Sequence, residues 1–466
     1  MTNATQELIR NLLETRFEAL NDGLIEGAKK RMIDVVGCAI GGVNASGNSM
    51  MMGLVREWGG RHEATILVHG DRVPAHIAAM VNSMMCRSYD YEPILECEGE
   101  AEGKLAGHVC GTTEPVGLAI AERKGSNGKE LITAVISGGD LAARLVIAEE
   151  FSLERSFEPT GTANAFGAAA VAGKLLGLNE VQMVNAFGIL VNQIAGSFQS
   201  IWDGVHTFKL PQGLSASNGI VSVELAMKGF TGLKDPLMSK GGYFAQYCKG
   251  YSPELLTGEL GKRFYAKGGH KLHPGCYLTH SAIDCALEVH RQHDINAADI
   301  EDVIVRIPPS IYGSFVNQPF ERGDSQVKAL FNLPYHVANA LLRKKVRLEH
   351  FSEESLQDAR VVELSKKVKI MPTASTTLPE KEWSQKAWAT DLIVKMKNGY
   401  EFSTHVDAPR GRLIYPLTKD EIRDKFRRNV AFSKEISTRK AEEALKMLEN
   451  LEEIKEVNKI VNLLIA

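Results

Sequence analysis

The densest gathering of groups able to move protons or hold anions lies in KGGHKLHPGCYLTHSAID, Lys267 to Asp284, where Lys271, His273, Cys276, Tyr277, Thr279 and His280 fall close together. Gly268-Gly269 and Pro274-Gly275 break regular structure on both sides of Lys271, so its ammonium is expected to project from an irregular segment. From Thr279 onward, Ala282, Ile283, Ala286, Leu287 and Val289 recur at helical spacing, which puts the polar cluster at a helix N-terminus. Free backbone N–H groups favour an anion there, and a substrate carboxylate would suit. Plain helix capping is the simpler alternative. His270, His273, Cys276 and His280 also raise the question of a metal, but Pro274-Gly275 interrupts the helix such spacing needs and no carboxylate or Cys-x-x-Cys supports it, so no metal is expected.

Three more stretches place titratable groups among glycines or small residues: Asp90 with Glu92, His108 in GHVCG, and Lys209 in HTFKLPQG. Taken singly each has a plain reading, as a helix-end cap, a loop histidine and a solvated lysine. The chain contains no G-x-G-x-x-G, P-loop, G-x-S-x-G or H-E-x-x-H, so dinucleotide, nucleotide, serine-hydrolase and zincin chemistry find no support. Cofactor-free chemistry is the expectation.

Helices must position most of these groups. A helical pattern runs from about Gln6 to about Val43, Ala64 to Val68 reads as a short strand, and Pro74 starts a helix ending near Tyr89-Asp90. PILECEGEAEGKLAGH, rich in Glu and Gly, has no period and reads as a surface loop able to act as a lid or carry a site. From His108 to about Gly232 helices follow one another, with the Ala- and Gly-rich GTANAFGAAAVAGKLLGL allowing close packing. Beyond Phe264 short strands appear: Asp302 to Pro308, Val368 to Met371, and Asp391 to Met396 turning through Lys397-Asn398-Gly399. After Pro409 the chain returns to helix.

At 466 residues the chain is long for one core, and two domains are the natural expectation. A formal charge of -3, from 54 basic and 57 acidic residues, gives no pull toward nucleic acid. Seven irregularly spaced cysteines fit reduced thiols, the first twenty residues lack the apolar core of a secretion signal, and no run reaches membrane-span length. A cytoplasmic protein without a membrane partner is expected.

The sequence resembles the MmgE/PrpD family, which takes in 2-methylcitrate dehydratase, cis-aconitate decarboxylase and iminodisuccinate epimerase. The likeness runs nearly end to end and is carried by HVCGTTEPVGLAIAERKG, GTANAFGAAAVAGKLLGLNEVQMVNAFGI, LPQGLSASNGIVSVELAMKGFTG, the Lys271-to-Asp284 stretch, LFNLPYHVANALL and VDAPRG followed by PLTKDEIRDKF. The resemblance implies a mainly α protein: a large all-helical domain built from both chain ends (residues 1–265 and 409–466) with a smaller inserted α+β lid domain (residues 266–408). It further implies a homodimer working without metal or organic cofactor. By position it assigns Asp90 to the family's aspartate-rich turn, His108 to the histidine after it, Lys209 and Lys271 to two lysines, and Tyr335 to the lid tyrosine. Departures accompany these matches: Glu92-Pro93-Ile94 replaces an aspartate-aspartate-threonine run, Glu158 and Cys276 stand where decarboxylases carry histidines, and Phe208 occupies the commonest lysine position, one before Lys209.

Such chemistry needs a base beside a carboxylate and cations to hold the resulting negative charge. The expected activity is that of a hydro-lyase (dehydratase) on a small polycarboxylate or β-hydroxy acid. His108, Lys271, Lys209, Asp90, Tyr335 and Glu158 are the expected catalytic residues, and Cys276, His273, Thr279 and His280 the expected substrate contacts. An epimerase or decarboxylase on a similar acid, or a carboxylate binder without turnover, are the alternatives.

Overall fold

The computed structural model describes residues 3–97, 104–149, 157–373 and 388–466. Its centre is the helix Gly128–Ala148, buried from Leu131 to its end, against which Ala163–Leu176 packs, followed by Leu210–Met227. Small residues set these spacings. A side-chain carbon on Gly138 would come within 3.0 Å of the Val171 backbone nitrogen, and one on Gly219 within 2.7 Å of Ala169 N, so only glycine permits the approach. The Gly128–Ala148 helix is long and apolar enough to cross a membrane, which amends the expectation that no run reaches that length. Its apolar stretch is fully enclosed by protein, so its composition is that of a core helix.

The helical pattern at the start breaks into Ala4–Glu14 and Asp22–Gly41, each opened by an asparagine whose side chain accepts from the first turn. The last helices return to this region. Lys425, on the helix Lys419–Ser433, places Nζ 2.7 Å from Asp34 Oδ1, and Phe426 fills the groove left by Gly37. Val68 N donates to Leu464 O at 2.7 Å and Gly128 N to Ile454 O at 2.8 Å, so the C-terminal segment is hydrogen-bonded to the helical body.

Between these parts lies a four-stranded sheet in the order Val368–Pro372, Ile300–Ile307, Thr390–Met396, Glu401–Val406. The first pair is parallel and the others antiparallel, with the last two strands joined through Lys397-Asn398-Gly399. The helix His280–Gln292 packs on the last two strands, and Leu333–Arg343 packs on that helix. VKALFNLPYHVANALL is two helices rather than one: Asn332 stops the first and caps the second, its side chain accepting from Tyr335 N. The architecture is mainly helical with small sheets.

Candidate active site

A three-stranded sheet gathers the site. Ile94–Glu96 pairs antiparallel with Leu105–Gly107 on one edge and with Gly268–Gly269 on the other, so part of the expected surface loop is strand. Residues 98–103 of that loop lie outside the described residues. The pairing clamps together segments far apart in sequence, and Asp90, His108 and Lys271 flank its strands.

Asp90 follows the end of the Ala75–Arg87 helix at a φ of 47°, a left-handed conformation that aspartate tolerates better than most side chains. Its N–H still donates to Arg87 O at 2.8 Å, which turns the chain sharply where charges converge. Arg87 is the hub. Its Nη1 bonds Asp90 Oδ1 and donates to Glu92 Oε1 at 3.1 Å, its Nη2 donates to Glu158 Oε1 at 2.8 Å, and all four side chains are buried. A rigid fork of five N–H donors lets one guanidinium serve three carboxylates. The same group lies 5.7 Å from the centre of the Phe208 ring, while its Nε has no hydrogen-bond partner among the described residues.

His108 stands between two of these acids, with Nδ1 2.9 Å from Glu92 Oε1 and Nε2 3.4 Å from Asp90 Oδ1. Burial, reinforced by Arg87, pulls its pKa below the ordinary histidine value, which favours the neutral ring. Burial alone would raise Glu92, but His108 and Arg87 outweigh it and hold that carboxyl well below the usual range. Glu92 therefore keeps its charge beside Nδ1, and the neutral ring can accept a proton. Glu158 goes the other way: burial, helped by Asp90, pushes its pKa up against the pull of Arg87 and of the Thr160 hydroxyl, and among the described residues its Oε2 has no hydrogen bond of good geometry. One buried group is thus suited to take a proton and another to give one.

Arg87, Asp90, His108 and Glu158 line one end of a cavity of about 150 Å³. Its walls are apolar, chiefly Phe198, Ile201, Leu278, Phe315, Phe331 and Trp388. Cys276 and Tyr277 also line it. Burial raises the Cys276 thiol to about 12 and the Tyr277 hydroxyl above its usual value, so both are neutral, and the Tyr277 hydroxyl has no hydrogen-bond partner among the described residues.

The remaining expected residues are elsewhere. Lys271 does not line the cavity: its Nζ lies 3.1 Å from Asp90 Oδ2 and donates to Asp90 O at 2.5 Å and Gly275 O at 3.2 Å, bracing Asp90 from behind. Lys209 Nζ donates to Ser46 O at 2.7 Å, and burial lowers its pKa to about 7. The offset by one from Phe208 explains this, because Phe208 takes the direction toward Arg87. Tyr335 is packed between Phe320 and Phe351 with its hydroxyl on His350 O, the role of a core tyrosine. His273 pairs with Asp284 at 3.0 Å, Thr279 Oγ1 lies 2.6 Å from His336 Nδ1, and His280 faces Gly275 O at 3.3 Å. These three form a buried polar layer beneath the cavity wall, so the helix N-terminus is filled by its own side chains rather than open to an anion.

The ligand atoms of Asp90, Glu92 and His108 fall within 4.8 Å of one another, close enough to share a cation. Arg87 already bridges the two acids, and Lys271 sits on the free oxygen of Asp90. A dication would add to two fixed positive charges already placed on these acids, which opposes a metal there, although Glu92 Oε2 and His108 Nδ1 have no hydrogen-bond partner among the described residues. Arg87, at the centre of these ion pairs and in the cavity lining, was not among the residues expected from the sequence. Its signal was present: a lone charge in the last turn of an apolar helix, three residues before Asp90.

Residues 6–256 match the MmgE/PrpD N-terminal domain and residues 273–453 the MmgE/PrpD C-terminal domain. Among curated relatives, cis-aconitate decarboxylase of Mus musculus is 26% identical over 463 residues, covering 96% of this chain and 90% of that protein. The Homo sapiens protein of the same name is 25% identical over 460 residues, 96% of this chain and 91% of its own. A cis-aconitate decarboxylase of Aspergillus terreus is 23% identical over 425 residues, covering 87% and 84%. With both halves matched in order and the buried acid, histidine and lysine positions gathered by one small sheet, the chain belongs to the MmgE/PrpD family.

Proposed function

We propose that this protein is a cofactor-independent lyase that eliminates water from a small carboxylic acid carrying a β-hydroxyl group. The observation that supports it most is the pairing of His108, depressed and backed by ionised Glu92, with Glu158, raised and without a hydrogen bond of good geometry at one oxygen among the described residues, at the same end of one cavity. His108 Nε2 removes the proton next to the carboxyl group, and the C–H electrons move toward the carboxyl as an enolate held near Arg87. Those electrons then form the C=C bond as the C–O bond breaks, and Glu158 protonates the departing hydroxide to give water. His108 has gained one proton and Glu158 has lost one, and exchange with solvent resets both. Asp90, braced by Lys271, fixes the direction of Arg87.

Decarboxylation is the second reading, favoured by the names of the relatives. There the C–C bond breaks with loss of CO₂ and a protonated His108 delivers the proton to carbon. Proton NMR of candidate acids in deuterated water separates the readings. Elimination yields an alkene with water as co-product, decarboxylation yields a one-carbon-shorter acid, and epimerisation exchanges deuterium into unbroken substrate. No change in any acid of a broad panel would leave only carboxylate binding. A homodimer in the cytoplasm remains part of the proposal, to be checked by sedimentation and by localisation of the tagged chain.

A further inference from the structure

We propose that the substrate of this site carries an apolar body about the size of a six-membered ring and no more than one carboxylate. The inference rests on the lyase reading above and narrows its substrate. An apolar cavity of roughly 150 Å³ accommodates a benzene-sized body, and about that volume is present here. The walls form a continuous aromatic surface: the Phe198 and Phe315 rings stack with centroids 6.4 Å apart, and Phe315 meets Phe331 edge-on at 5.7 Å. Trp388, Ile201 and Leu278 complete it. Such a surface gains free energy by covering hydrocarbon and gains nothing by receiving a carboxylate.

Charge points the same way. Among the described residues that line the cavity, Arg87 is the sole fixed cation, and both its Nη atoms are engaged by Asp90, Glu92 and Glu158. Lys271 is enclosed behind Asp90. Two positive side chains thus face three carboxyl groups before any substrate arrives. A tricarboxylate would bring three more negative charges to a buried cluster that, among the described residues, holds no positive excess, an arrangement that desolvation strongly opposes. One carboxylate can be received, by Arg87 Nε, unpartnered among the described residues, with Glu158 Oε2 donating rather than repelling when it holds its proton. A β-hydroxy monocarboxylic acid with an aromatic, alicyclic or branched-alkyl body meets all of these conditions.

The full-length protein tests this with two inert ligands and two reactive ones. Calorimetric titration with 3-phenylpropanoate, one carboxylate and one ring, is compared with tricarballylate, three carboxylates and no ring. We expect the ring-bearing monoacid to bind at least about tenfold more tightly. Leu105→Lys, or Leu278→Lys if the first does not fold, adds a cation at a half-buried wall position and should narrow that ratio by about tenfold. Equal or tighter binding of tricarballylate to the unaltered protein, or variants that fold and leave the ratio unchanged, would overturn the proposal. In parallel, 3-hydroxy-3-phenylpropanoate and citrate are followed by proton NMR in deuterated water. Preference for the monoacid in titration with neither hydroxy acid turned over means that the substrate class stands and the lyase reading fails. Turnover of citrate with the monoacid untouched means the reverse.

Discussion

Lys271 holds Asp90 at two points, its Nζ 3.1 Å from Oδ2 and 2.5 Å from the carbonyl oxygen, and thereby pins a residue whose backbone sits at a φ of 47°. Lys271 is thus a positioning residue. Lys271→Met should lower the melting temperature and kcat together, because removing one partner of a buried pair costs about 3–5 kcal/mol. Lys271→Met combined with Asp90→Asn should recover much of the stability without recovering kcat. A double variant no more stable than the single one in urea unfolding would show that the pair does not act as a unit.

His108→Gln should reduce kcat by about 10²- to 10⁴-fold, the range for a general base, and abolish the acidic limb of the pH–rate profile. Because burial and Arg87 depress the folded-state pKa, the neutral, active ring persists below the ordinary histidine value, and the acidic limb of kcat/KM in the unaltered enzyme should lie below pH 6.5. Glu92 raises the His108 pKa by its charge, so Glu92→Gln should move that limb further toward acid. A limb that stays in place in the Glu92 variant would assign the titration to another group.

Lys209→Met should leave kcat within a few-fold of the unaltered enzyme, since Lys209 is not among the residues lining the cavity. Its signature lies in stability. The folded pKa of about 7 is below the reference 10.5, so the unfolded chain binds this proton more tightly and stability is lost as pH falls from about 10.5 to about 7. Urea unfolding at pH 7 and pH 10 should show a gain with pH in the unaltered protein that is smaller in Lys209→Met.

Acid should weaken the fold through the buried histidines beneath the cavity. Burial lowers His336 to about 3 and His280 well below its ordinary 6.5, so the unfolded chain takes up these protons first and stability declines as pH drops from about 6.5 toward 3. Melting curves at successive pH values should show that slope, and His336→Gln should make it shallower. An unchanged slope would place the acid sensitivity elsewhere.

Exhaustive chelation should leave kcat intact, because Arg87 and Lys271 already supply the positive charge that Asp90, Glu92 and His108 would otherwise offer to a metal. Stoichiometric metal in the purified protein, lost together with activity on dialysis, would refute this.

The sequence alone determined the helical character of this protein and the identity of several participants. Helical periodicity placed Gly128–Ala148, Ala163–Leu176 and Leu210–Met227 because their own side chains set the pattern, and the turn at Lys397-Asn398-Gly399 was readable because glycine is needed at a φ of 88°. Asp90, His108, Glu158 and Cys276 were visible as unusual groups or departures at family positions, and all four line the cavity. Tertiary structure decided what those groups do. Arg87 looks like one more charge at a helix end until the Ile94–Glu96 strand brings His108 and Glu92 to it and the segment before Pro159 brings Glu158. Lys271 and Lys209 carry the same ammonium in sequence, yet one braces an aspartate and the other a backbone carbonyl, because a shift of one residue changes the direction in which a side chain points. Protonation tendencies follow from burial and from neighbours remote in the chain, and no local pattern of residues records either of them.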